Sequence, residues 1–219
     1  MFVSPSSRAS RRRIPPTIPW NWTLILSSTT WSVPANTREI IFECWGGGGS
    51  GAGSTIVNVQ RGSAGGAGAY MMLKPPTLDS SYTITIGAGG VPVHASTTGA
   101  NGNGGGSTVV SGSNLGSYTA NAGSGGVPGV NSGGAGGAAT IADSKCVIGM
   151  AGASGQVSSG QATAYVAVGG SSPRGGLGGR QNVGDAGGFP GGGGCASNFN
   201  SASDTSGAGG NGCVLIWYR

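Results

Sequence analysis

The side chains able to do chemistry in this chain are few and far apart. His94 is its only imidazole, which removes most Ser/His and Cys/His nucleophile systems. The four cysteines, Cys44, Cys146, Cys195 and Cys213, include no Cys-x-x-Cys pair; with one histidine they offer no zinc-ligand spacing, and no metal site is expected. Cys44 closes one strand-like phrase and Cys213 opens another, so a bridge needs those strands to be neighbours, and buried thiols are the expectation for a protein assembled in a cytoplasm. Asp79, Asp143, Asp185 and Asp204 are each isolated in turn-like surroundings and suggest no carboxylate pair for acid–base hydrolysis. The only lysines, Lys74 and Lys145, follow no glycine loop, so no Gly-x-x-x-x-Gly-Lys-Ser/Thr phosphate cradle exists. In a chain with 49 glycines, chance matches to Gly-x-Gly-x-x-Gly carry no weight. The expectation is no enzyme, no catalytic residue and no cofactor, but a binder or a building block.

Charge is the next chemical resource, and it is unevenly placed. The net charge is +5, and Arg8, Arg11, Arg12 and Arg13 stand in an N-terminal stretch with no acid. Pro15, Pro16 and Pro19 follow and oppose a helix there. Such an arm could neutralise phosphates, but so few contacts give weak, salt-sensitive, sequence-blind binding. Docking on an acidic partner surface is the favoured reading, so residues 1–21 are predicted to be an extended anchoring arm. Its anchor candidates are Arg8, Arg11, Arg12, Arg13, Pro15, Pro16 and Trp20, and no specific nucleic acid is expected as a partner. The N-terminus lacks the apolar core of a secretory signal, and no stretch near ~20 apolar residues predicts a membrane span.

Residues 22–219 must then hold whatever positions a binding surface. Strand-like phrases occur at Trp22–Leu26, Arg38–Trp45, Thr55–Val59, Ala69–Leu73, Tyr82–Ile86, Ser107–Val110, Lys145–Ile148, Ala162–Val168 and Cys213–Tyr218, and Trp31–Asn36 reads as a strand end and turn. Tyr82, Ile84 and Ile86 alternate with Thr83 and Thr85, the pattern of a half-buried strand. No segment shows a 3.6-residue apolar period, so α-helix is expected to be essentially absent. The strand around Ile40–Trp45 is predicted to lie beside Val214–Tyr218, joining the two most β-prone phrases.

Between these phrases the glycines come in runs, among them Gly46–Gly49, Gly62–Gly68, Gly102–Gly106, Gly123–Gly137 and Gly207–Gly212, and none precedes residue 46. A composition of 49 glycines and 11 prolines in 219 residues would ordinarily signal low complexity. Yet charged residues are only 8 % and hydrophobic ones 37 %, unlike a chain that stays open. Collagen is excluded because glycine does not recur at every third position. Without Cβ atoms, polyproline II segments of three residues per turn can approach closely enough to exchange backbone contacts. The fold class predicted is therefore a glycine-rich polyproline II helix sandwich with short β-strands.

Taken in order, Trp31-Ser32-Val33-Pro34, Glu39 to Gly49 (EIIFECWGGGG), Tyr82 to Gly90 (YTITIGAGG) and Gly209 to Trp217 (GGNGCVLIW) resemble the glycine-rich domains of bacteriophage tail fibres, the tip adhesins of T-even-like phages among them, over about residues 29–219. In place of those adhesins' large N-terminal attachment domain stands the short basic arm. The resemblance implies a layered sandwich of polyproline II helices whose distal loops contact the host receptor, with the opening and closing strands forming a small β-region. It also implies a virion location, on a tail fibre or the capsid surface, with the arm attached to other virion proteins. Polar and aromatic inserts between glycine runs supply the receptor-contact candidates Asn114, Tyr118, Gln156, Tyr165, Asn198, Phe199 and Asn200, since such side chains offer area and adaptable hydrogen bonding. Arg174 and Arg180 are added as readers of an anionic glycan. Two functions follow as expectations: binding of a host outer-surface protein or glycan, or a structural head fibre or decoration protein with no receptor. Assembly into a homo-oligomer is left open.

Overall fold

The computed structural model describes residues 19–54, 62–96, 98–129, 133–138, 145–156, 167–180, 184–197 and 204–219. Among them are nine strands and no α-helix: β1 (Asn21–Ile25), β2 (Thr29–Ser32), β3 (Ile40–Trp45), β4 (Tyr70–Leu73), β5 (Ser81–Thr85), β6 (Thr108–Gly112), β7 (Gly116–Ala120), β8 (Cys146–Met150) and β9 (Cys213–Tyr218). They form two antiparallel sheets, one of five strands in the order β1-β9-β3-β4-β8 and one of four in the order β2-β5-β6-β7. The expected partnership of the two most β-prone phrases holds, with Phe42 opposite Ile216 and Glu43 opposite Leu215.

The sheets bury the chain's large apolar side chains between them. Ile40, Phe42, Met71, Leu73, Val214 and Ile216 from one sheet meet Tyr82, Ile84, Val110 and Tyr118 from the other. Trp31 stacks on Tyr82 at 6.4 Å, and the edge of Phe42 meets the Tyr82 ring at 4.8 Å. Burying side chains of this size stabilises by about 1.5–3 kcal/mol each.

Away from the sheets the glycine runs form a second region with almost no side chains inside. From Gly46 onward the backbone N–H groups turn to three neighbours in rotation. Gly46, Gly49 and Ala52 donate to Ala69, Gly66 and Ser63; Gly47, Ser50 and Gly53 donate to Gly106, Asn103 and Ala100; Gly48 and Gly51 donate to Gly210 and Gly207. A donor direction that returns every third residue is the three-residue turn of polyproline II. The partner number falls by three as the donor number rises by three, so these neighbours run antiparallel. The carbonyls of the same segment accept from three other segments: Gly47 and Ser50 from Gly123 and Gly126, Gly49 and Ala52 from Gly194 and Ser197, and Gly48 from Gly90.

Residues 63–69 repeat the arrangement, donating to the segments around 121–127, 153–156 and 191–194, and accepting from 46–52, 133–138 and Gly170. Each of these two segments is thus an interior helix ringed by six others, and every residue of 46–54 and 62–69 is buried. Such packing leaves no room for a Cβ. A methyl on Gly51 would overlap the carbonyl of Cys195, and one on Gly65 would overlap those of Gly49 and Ser50.

The two regions are continuous because glycine segments extend the strands. β3 runs into residues 46–54, residues 62–69 into β4, residues 100–107 into β6, β7 into 121–127, β8 into 151–156 and residues 204–212 into β9. One reading of the sequence changes. Ala167 and Val168, the described end of the expected strand Ala162–Val168, lie outside any strand, because Gly169 continues them into the bundle, donating to Gly179. The expected strand Thr55–Val59 lies outside the described residues. β7 was not anticipated, because Gly116-Ser117 interrupts its apolar pattern. Its turn is fixed from a distance by Asp79, whose Oδ1 accepts from Ser113 Oγ at 2.8 Å and the Asn114 N–H at 2.9 Å. The Leu115 N–H donates to Oδ2 at 3.3 Å. Gly116 supplies the left-handed backbone at φ 84°, open to a glycine without strain.

Candidate functional site

The bundle has one end at the sheets and another where its segments are tied to each other across long sequence separations. At that far end the Ser54 N–H donates to Ser197 Oγ at 2.8 Å, Ser54 Oγ donates to the Ser197 carbonyl at 2.6 Å, and the Gly62 N–H donates to Ser54 Oγ at 3.0 Å. Backbone bridges join Gly53 to Ala100, Gly62 to Pro128 and His94 to Thr205. The Gln156 N–H meets the Val168 carbonyl at 2.8 Å. These residues flank the connections 55–61, 130–132, 157–166 and 198–203, which lie outside the described residues.

Against this geometry the expected contact residues separate. Gln156 is exposed at the far end, and Arg180 is exposed beyond Gly179 on the segment leading there. His94, the single imidazole, is exposed at the same end. Asn114 is exposed at the opposite end, in the turn joining β6 and β7, where its carbonyl accepts from Lys145 Nζ at 3.2 Å. Tyr118 is 8 % exposed and belongs to the core between the sheets, so it presents little surface to a ligand. Tyr165, Asn198, Phe199 and Asn200 lie outside the described residues, as do the arm residues Arg8, Arg11, Arg12, Arg13, Pro15 and Pro16. Trp20, the described end of the arm, packs on its own chain, with the Arg219 guanidinium 4.5 Å above its ring.

Arg174 occupies a third place, beside the outer face of the five-stranded sheet. It has a left-handed φ of 51°, which costs a non-glycine residue about 1–2 kcal/mol. In return its Nη1 donates to the Tyr70 hydroxyl at 2.9 Å and lies 3.7 Å from Glu43 Oε2. Glu43 is the centre of this cluster. Tyr70 Oη donates to its Oε2 at 2.7 Å and Trp217 Nε1 donates to its Oε1 at 2.9 Å. Trp45 Nε1 donates to the Pro173 carbonyl at 3.0 Å, fastening the reversal around Arg174 to the sheet. Burial, then the Glu43 carboxylate, pushes the Tyr70 phenol well up and keeps it a donor. Nothing in the one-dimensional pattern singled out Glu43 or Tyr70; a lone acid inside the apolar run Ile40–Trp45 was the available signal.

The thiols are chemically quiet. Cys44 faces the core and Cys213 the outer side of the sheet, since Cys44 stands opposite Val214 and Trp45 opposite Cys213, so strand neighbourhood alone does not bridge them. Burial and then Glu43 push the Cys213 thiol up to about 12, and burial raises Cys44 as well. Neither supplies a thiolate at neutral pH. Among the described residues no group of three or more His, Cys, Asp or Glu side chains gathers to hold a metal, and no helix is long and apolar enough to cross a membrane.

What this arrangement provides is a scaffold: a bundle with almost no large side chains inside, closed at its far end by bonds between distant segments. Comparison with curated proteins found no match. The family model described as a glycine-rich domain matches residues 23–219, nearly all of the described chain, and the protein belongs to that family.

Proposed function

We propose that this protein is a surface component of a tailed bacteriophage virion and that the far end of its polyproline II bundle binds a host outer-surface protein or glycan. The observation that carries the reading is the bundle itself. Two interior helices ringed by six neighbours hold the far-end residues on fixed backbone, the pre-organisation that lets short polar connections recognise a partner at low entropic cost. The assignment to a phage rests on the sequence resemblance. Gln156 and Arg180 are the described residues best placed to contribute.

The experiment is competition. Purified protein added to host cells should reduce phage adsorption in a dose-dependent way, and Gln156→Ala with Arg180→Ala should weaken that block. Protein that binds no host cell at any concentration would remove the receptor reading.

A second reading, a head fibre or decoration protein with no receptor, is favoured by the fate of three candidates. Tyr118 lies in the core, Arg174 is engaged by Glu43 and Tyr70, and Asn114 stands at the sheet end. Both readings use the arm as the anchor to other virion proteins. Protein lacking residues 1–13 should stay soluble and folded yet fail to join the particle; normal incorporation would refute the anchor.

A further inference from the structure

An antiparallel sheet with one face on a core ordinarily shows polar residues on the other. The five-stranded sheet does not. Followed across the strands, its outer face carries Trp22 opposite Trp217, and Trp217 opposite Ile41. The next row is Leu24, Leu215, Glu43, Met72 and Ile148, and a third sets Tyr70 opposite Met150. The bundle reversal at Pro173 covers Trp45, and its Arg174 reaches over Tyr70 to Glu43. Trp22 remains 62 % exposed, Leu24 41 %, Ile148 37 % and Met150 44 %, and Leu26 just beyond β1 is 60 % exposed. At these fractions, side chains of such size expose on the order of 100 Å² each, so the two edges of the face together expose roughly 500 Å², the scale of a monomer's largest apolar patch.

We infer that this face is covered by the same face of a second copy, in a two-fold sheet-on-sheet dimer. Two such patches bury about 1,000 Å² before any rim is counted, the size at which specific interfaces begin. Self-association across a two-fold also demands a surface without uncompensated charge, because each group is brought near its own copy. Glu43 is the one acid in these rows, and it is already buried and hydrogen-bonded by Tyr70 and Trp217. Closing the interface therefore strands no charge. The competing occupant within the chain, the N-terminal arm, carries Arg8, Arg11, Arg12 and Arg13. At the rim Lys74 and Arg219 are paired with Glu39, and on the face Arg174 is paired with Glu43. The arm is mostly serine, proline and arginine, whereas a second copy brings a matching apolar face. Trp22 and Trp217 supply the aromatic anchors that dominate interface energetics. The inference rests on the fold and is independent of the receptor reading.

Sedimentation velocity on the full chain from about 1 to 100 µM tests it. A concentration-dependent dimer is expected, and Trp22→Glu with Leu24→Glu should raise its dissociation constant by about 100-fold or more, with circular dichroism unchanged. Leu177→Glu, at an exposed apolar residue on the bundle, should leave the dimer intact. If the double substitution disturbs the fold, Met150→Glu at the far edge of the same face takes its place. A chain that stays monomeric over the whole range, or a dimer that survives the substitutions on this face, overturns the inference.

Discussion

The sheet region and the glycine bundle are built from one chain by opposite means. Between the sheets, order comes from large side chains interlocking: Phe42, Tyr82 and Leu73 are fully buried, and the backbone serves to set them in register. In the bundle, order comes from the backbone itself, and side chains are what must be absent. The residues of 46–54 spend their N–H and carbonyl groups on neighbours up to about 160 positions away in sequence, such as Gly210 for Gly48. A hydrogen bond is worth only about 0.5–1.5 kcal/mol net, and glycine is the residue that loses most conformational freedom on ordering. No single run could be stable alone. The sheets resolve this by pinning the ends of successive segments, so that each glycine run starts its course already aligned.

Substitutions should separate the two modes. The largest effect is expected at Gly65, where a Cβ would fall on the backbone of Gly49 and Ser50, groups that cannot move aside. Gly65→Ala should cost on the order of 5 kcal/mol through overlap and lost interhelix hydrogen bonds. That matches the stability of a typical domain, so failure to yield folded protein by circular dichroism is the expected result. A mild effect would mean that the bundle is loosely packed.

Phe42→Ala should come next, at about 3–5 kcal/mol by denaturant unfolding, the usual cost of emptying an aromatic site in a core. If Phe42→Ala lowers stability while Gly65→Ala does not, the sheets alone hold the fold and the comparison fails.

Asp79 offers an intermediate and pH-dependent test. Burial pushes its carboxyl up, but the Asn114 N–H, the Ser113 hydroxyl and the Leu115 N–H together hold it below the usual aspartate range. Its folded-state pKa is thus depressed relative to the unfolded chain. The stabilisation is complete above the unfolded value of about 3.9 and is lost as pH falls through the folded one. Asp79→Ala should cost about 2 kcal/mol at neutral pH, the scale of hydrogen bonds to a charged group, and should flatten the acid limb of the stability curve. An unchanged acid limb would show that the β6–β7 turn is held by other means.

The smallest effect is expected at Gly104, at the bundle surface. A Cβ there would lie 3.7 Å from the Gly123 carbonyl, an ordinary contact. Gly104→Ala should be neutral or stabilise by up to about 1 kcal/mol, because alanine has less freedom to lose. The opposite signs at Gly65 and Gly104, measured under the same conditions, are the sharpest statement that packing rather than composition makes the interior glycines necessary.

Much of this division was legible in the residues. The alternation of Tyr82, Ile84 and Ile86, the β-branched run at Ile40 and its counterpart at Val214 reported the sheets because burial on one face imposes a period of two. The glycine runs reported close-packed polyproline II because a backbone with few Cβ atoms permits that approach. Equally legible were the single histidine and the wide spacing of the four cysteines. The contact candidates were less well read. Tyr118 resembled a surface insert because its strand opens on Gly116 and Ser117, and only the five-stranded sheet closing over it makes it core. Arg174 resembled a free guanidinium because Glu43 and Tyr70 lie more than 100 positions away in the chain.

The sequence by itself thus determined most of the strands, the glycine runs that become polyproline II, and where the basic charge sits, since each is written in local composition. Tertiary structure alone decided which glycine runs are interior, which neighbour each N–H faces, and which side of the five-stranded sheet stays uncovered. The physical reason is that a glycine carries no side chain to name its partner. Runs of identical chemistry become distinct only when the register of the strands that feed them places one run at the centre of a ring and another at its edge.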